Sequence, residues 1–126
     1  ETVLRMSDYL SLNCPLNDQT RHLIDADALG KMKRTAFIIN TARGALIDEA
    51  ALVQALQNRR IGGAGLDVQE VEPLPDGSPL YTLDNVIITP HIGWRGLETR
   101  KRLVSILKDN ITAFVKGEPI NRVDNI

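Results

Sequence analysis

Four short apolar runs are spaced along the chain, with segments of helical periodicity between them. Residues 9–14 alternate, which places Leu10, Leu12 and Cys14 on one face of a strand. Residues 36–40 (Phe37, Ile38, Ile39) and 85–89 (Val86, Ile87, Ile88) are continuous apolar runs, the pattern of strands buried on both faces. Residues 63–68 form a weaker strand, because small side chains dominate them. Asp25 is a candidate N-cap for a helix over residues 26–32, and Asp48 for one over 49–58, where Leu52, Ala55 and Leu56 share a face. Arg59 and Arg60 would suit the negative end of that second helix. From residue 97 to 115, Leu103, Leu107, Ile111 and Phe114 keep helical spacing, and Gly117 is a stop signal.

Strand, helix, strand, helix, strand with short links predicts a parallel sheet in an α/β domain. In such sheets ligands lie beyond the carboxyl ends of the strands. Those ends carry Cys14-Pro15, Thr41-Ala42-Arg43-Gly44, Asp67 and His91, so the polar chemistry gathers on one edge. Residues 69–84 break the rhythm. Pro73, Pro75, Gly77 and Pro79 forbid a long helix, and an irregular loop of this length inside a domain is often functional. There is no internal repeat and no low-complexity tract.

Composition narrows the classes. The 126 residues suffice for one ordinary domain with a moderate core, and 43% hydrophobic with 25% charged residues is a globular balance. A net charge of −1 argues against nucleic acid or an anionic membrane as partner. The basic clusters at residues 31–34 and 100–102 read as solvated helix faces. A single cysteine, Cys14, cannot form an internal disulfide, which suits a reducing cytoplasm. No apolar stretch approaches the roughly 20 residues of a membrane helix, and no signal-peptide pattern is present. The chain begins abruptly at Glu1 in helix-like sequence around Val3 and Leu4, which leads us to expect a piece of a longer protein or a processed product. Asn110-Ile111-Thr112 has the form of a glycosylation sequon, but it falls inside the last helix and is discounted.

Arg43 at a strand end offers a planar fork for a carboxylate; from spacing alone, a loop arginine beside a Gly44 turn accounts for it as well. His91 after Pro90 could donate a proton to a carbonyl oxygen as hydride reaches its carbon, or could simply head a turn. Glu72 could hold that histidine in one tautomer and stabilise its protonated form. The alternative is a solvated acidic loop, which explains Glu70 better than Glu72. Asp67 could accept from a nicotinamide amide or cap a turn. His22, His91 and Cys14 lack metal-ligand spacing, so no metal is expected. Gly63-Ala64-Gly65 fails as a dinucleotide fingerprint, because Val68 stands where the third glycine belongs and no helix follows. A phosphate-binding loop, if the parent protein has one, must precede residue 1.

In order and spacing, Leu12-Asn13-Cys14-Pro15-Leu16-Asn17-Asp18-Gln19-Thr20-Arg21, Ile39-Asn40-Thr41-Ala42-Arg43-Gly44, Gly65-Leu66-Asp67-Val68-Gln69-Glu70-Val71-Glu72-Pro73 and Thr89-Pro90-His91-Ile92-Gly93-Trp94 closely resemble the D-isomer-specific 2-hydroxyacid dehydrogenases. The resemblance covers essentially the whole chain. It implies that Arg43 binds the substrate carboxylate and carbonyl, that His91 is the acid–base group, and that Glu72 is its partner. It also implies that Cys14, Pro15, Thr41, Ala42, Arg43, Asp67, His91, Ile92 and Gly93 line the cofactor, NAD or NADP. By the same likeness, residues 1–92 are the later part of a doubly wound, Rossmann-like coenzyme domain lacking its Gly-rich loop. Residues 93–126 would be a helix and tail returning to a mostly absent substrate domain. Trp94 replaces the small residue of many members and leans towards the glycerate dehydrogenase, or hydroxypyruvate reductase, type.

The expected parent is therefore a cytoplasmic homodimer that reduces a small 2-keto acid, hydroxypyruvate or glyoxylate, to the D-2-hydroxy acid. The competing expectation is an NAD(H)-sensing, corepressor-like binding protein on the same fold. The isolated chain is expected to show no turnover and little affinity for NAD.

Overall fold

The computed structural model describes residues 1–124. It divides into two compact units, Glu1–Ile92 and a second beginning at Gly93. In the first unit the elements run α1 (Thr2–Met6), β1 (Tyr9–Leu12), α2 (Ala26–Lys31), β2 (Phe37–Asn40), α3 (Glu49–Gln57), β3 (Gly63–Leu66) and β4 (Val86–Ile88). All four strands pair in parallel in the order β1-β2-β3-β4. This is a parallel α/β sheet, as the alternation of runs predicts, with the Rossmann-like character that the resemblance implies. The strands are shorter than the apolar runs: β1, β3 and β4 lose the last residues of their runs to the loops of the carboxyl edge, and β2 loses Ala36 at its start.

Both predicted N-caps form. The Asp25 carboxylate accepts from Ala28 N at 2.8 Å, and that of Asp48 accepts from Ala51 N at 3.0 Å. α3 buries Leu52, Ala55 and Leu56, which join Leu29 and Met32 from the α2 segment over Leu12, Ile38, Ala64 and Leu66 of the sheet. Arg60 serves a different helix from the one expected. Its guanidinium donates to Met32 O at 2.8 Å and to Gly30 O, satisfying carbonyls at the end of α2. Between β3 and β4 the Pro-rich loop contains only a 3-10 turn, Pro79–Thr82, which plants Leu80 in the core.

The continuous apolar runs predict burial on both sheet faces, and here the structure differs. α2 and α3 contribute to a core on one face only, so Tyr9, Phe37 and Ile87 on the other face stay 71%, 40% and 73% exposed. Tyr9 stacks on Phe37 with ring centroids 5.8 Å apart. The Phe37 ring lies across Gly63, where a Cβ would approach it to 2.7 Å.

The second unit is α4 (Leu97–Val115), with the predicted bounds, followed by Gly117 at φ +77°. Within it, Arg100 stands over the Trp94 ring at 5.8 Å. Among the described residues, no helix is long and apolar enough to cross a membrane.

Candidate active site

β2 delivers Arg43. The side chain of Asn40, fully buried at the strand's end, accepts from Ala42 N at 3.1 Å and donates to Arg43 O at 2.9 Å, bracketing the turn from both sides. Gly44 follows, and only glycine fits: a Cβ there would lie 1.9 Å from both the carbonyl carbon and the oxygen of Gln69. This close approach draws the loop after β3 against the loop after β2. The exposed Arg43 guanidinium donates to Ala42 O at 2.7 Å.

Loops after β3 and β4 deliver Glu72 and His91. One Glu72 oxygen accepts from Gln69 N at 3.1 Å, and the other meets His91 Nδ1 at 2.7 Å. His91 sits at φ +52°, a left-handed conformation uncommon for a residue with a side chain and frequent at functional sites. Buried Asp67 holds both sides of that turn, accepting from the Thr89 hydroxyl and from Ile92 N at 2.9 Å. The Glu72–Pro73 peptide is cis.

Partial burial alone would raise the pKa of Glu72. Hydrogen bonds from His91 and from Gln69 N, together with the charges of His91 and Arg43, outweigh it, and the carboxyl ends below its ordinary value. A carboxyl depressed on folding contributes stability above the ordinary carboxylate range, and that contribution is lost as pH falls through the lower folded value. Glu72→Gln in the full-length protein is therefore expected to flatten the acid limb of the stability profile between about pH 5 and pH 3. Urea melts across that range check it, and parallel acid limbs in the two proteins would contradict it.

Arg43, Glu72 and His91 line one open cleft of about 310 Å³, together with Arg21 and Gln69. Arg43 also borders a second cleft of about 390 Å³, walled by Cys14, Pro15 and Ala42. Glu72 and His91 reach a third of about 520 Å³, whose far wall is Leu74, Tyr81 and Ile88. Thr41 is exposed beside this edge and Ile92 is half-buried, whereas Gly93 begins the second unit. Among the described residues no three His, Cys, Asp or Glu side chains group as a metal site would require.

Four contributors are not evident from local sequence. Asn40 and Gly44 sit within residues 39–44, but their work is done on partners that only the fold supplies. Gln69 is buried under the site. Glu70, read as a solvated charge, meets His22 Nε2 at 2.8 Å across 48 residues.

Residues 1–93 match the family model described as D-isomer specific 2-hydroxyacid dehydrogenase, NAD binding domain. The glycerate dehydrogenase of Methylorubrum extorquens is 50% identical over 126 residues, 98% of this chain and 40% of that protein. The crystal structure of TT0316 protein from Thermus thermophilus superposes with a TM-score of 0.91 at 48% identity, over 97% of this chain and 39% of that one. A D-isomer specific 2-hydroxyacid dehydrogenase from Xanthobacter autotrophicus Py2, in complex with NADPH and MES, gives 0.82 at 44% identity, over 96% and 50%. The chain thus spans about 40% of the length of that glycerate dehydrogenase.

Proposed function

The chain belongs to the D-isomer specific 2-hydroxyacid dehydrogenase family, and on that footing we propose that it carries the reacting groups of an enzyme interconverting a small 2-keto acid and its D-2-hydroxy acid. One observation carries the proposal: Arg43, Glu72 and His91 line a single cleft, with Glu72 bonded to His91 Nδ1 at 2.7 Å. The Glu72 carboxylate fixes the imidazole through Nδ1, and the imidazole so held passes a proton to the substrate carbonyl oxygen. Arg43 grips the substrate carboxylate and polarises the carbonyl, so one side chain supplies orientation and charge stabilisation. When bound in its reduced form, the nicotinamide of NADH or NADPH would supply the hydride to the carbonyl carbon. Cys14, Pro15, Thr41, Ala42, Ile92 and Gly93 would hold it through backbone and small side chains, while Asp67 keeps the His91 turn in place.

Hydroxypyruvate and glyoxylate are the substrates we favour, in keeping with the glycerate dehydrogenase named among the relatives and with Trp94. We assign residues from Gly93 onward to the substrate-domain side of the parent protein, which we take to be a cytoplasmic homodimer. The test is an assay of the full-length protein for NADH or NADPH oxidation that depends on added hydroxypyruvate or glyoxylate. Turnover with either supports the proposal. Tight NAD(H) binding without turnover of any 2-keto acid would overturn it in favour of a nucleotide-sensing protein.

A further inference from the structure

A second histidine–carboxylate pair lies beside the first. His22, in the loop after β1, meets Glu70 Oε1 at 2.8 Å, and Glu70 is two residues from Glu72 on the same loop. Building on the proposed function, we infer that Glu70, held by His22 and the start of α3, is a positioning residue that aims the Glu72–His91 pair.

Residue 70 is fixed from three directions. Glu70 N donates to Glu49 Oε2 at 3.1 Å, and Glu49 N donates to Glu70 Oε2 at 3.4 Å, so the first residue of α3 and the loop clasp each other. A carboxylate at that helix N-terminus also faces the positive end of its dipole. Gly44 lies against Gln69 and Glu70 from the β2 side. His22 completes the set and is itself pinned, its N–H donating to Ala45 O at 2.8 Å with the backbone at φ +53°. Between this anchor and His91 run residues 69–72, held across the turn by Gln69 N on Glu72. The direction of the Glu72 carboxylate therefore depends on where residues 69 and 70 are held. The His22 and Glu70 side chains are 38% and 30% exposed, so the pair adds little to global stability. A role in aiming explains the three-way clasp better than a role in holding the fold together.

The experiment uses the full-length protein and the variants Glu70→Ala, His22→Ala and His22→Gln, the last keeping an N–H donor at similar reach. Glu70→Ala and His22→Ala are expected to lower kcat roughly ten- to a hundredfold, with unchanged melting temperature and unchanged KM for the dinucleotide. In ¹⁵N NMR, the His91 Nδ1 resonance should move towards that of a ring averaging between tautomers. His22→Gln should restore most of both. Unchanged kcat and an unchanged His91 resonance in both alanine variants would overturn the inference, as would losses that only track a lower melting temperature. Because the NMR readout needs no substrate, a protein that reduces no 2-keto acid would defeat the proposed function while the His91 signal still decides whether Glu70 positions the pair.

Discussion

Full-length protein with His91 replaced by asparagine is expected to lose about two to four orders of magnitude in kcat while binding NAD(H) with nearly its original affinity. Asparagine is the informative substitution because it accepts the left-handed backbone that residue 91 adopts, at φ +52°, more readily than most side chains. It can also donate from its amide near the place of Nδ1, so the contact to Glu72 has a substitute. What it cannot do is carry a proton at the far side of the ring. The loss would then report proton transfer rather than collapse of the loop. Steady-state kinetics with hydroxypyruvate, beside a fluorescence titration with NADH, makes the comparison. A variant that retains kcat would remove His91 from the chemistry. A fall in NADH affinity matching the fall in kcat would place it in cofactor binding instead.

Gly44→Ala is expected to be the most damaging single-atom addition in the site. Its methyl group would stand 1.9 Å from the Gln69 carbonyl and 2.5 Å from Glu70 N, and all these atoms belong to backbone. No rotamer relieves such a contact, so the loop after β3 must withdraw by an ångström or more. Overpacking of this kind costs about 1–3 kcal/mol, and misplacement on that scale lowers turnover on the order of a hundredfold. Gly65→Ala is the control: its new methyl would meet only Ile39 Cγ1, at 3.9 Å. Thermal melts and kcat for the two variants check the expectation. Equal behaviour of the two would mean that the approach of loops 44 and 69 does not set the site.

How much of this is readable beforehand follows the range of the forces involved. Asp25 and Asp48 cap their helices through partners three residues away, so a local pattern suffices to find them. The periodicity of α4 is likewise internal to the helix and yields its bounds. Arg43, Glu72 and His91 can be nominated because each follows a short apolar run, yet their convergence depends on strand order, which no single segment carries. Long-range contacts are the ones that stay hidden. Gly44 reads as a turn glycine until Gln69 is laid against it, and Glu70 reads as a solvated charge until His22 comes within hydrogen-bond reach. Arg60 stands next to one helix end in the chain, whereas the carbonyls it satisfies lie some thirty residues earlier. The open sheet face reverses a local expectation for the same reason. An apolar run records how oily a strand is and not whether anything lies on top of it.

That open face, with Tyr9 stacked on Phe37 above Gly63, bears on how the chain behaves when handled alone. Copies in dilute buffer lower their free energy by pressing such surfaces together and releasing water. Sulfate and phosphate salts strengthen the tendency, and urea weakens it. Clouding during a salt cut would therefore follow from exposed apolar surface such as this ledge and be no sign that the sheet beneath it had come apart.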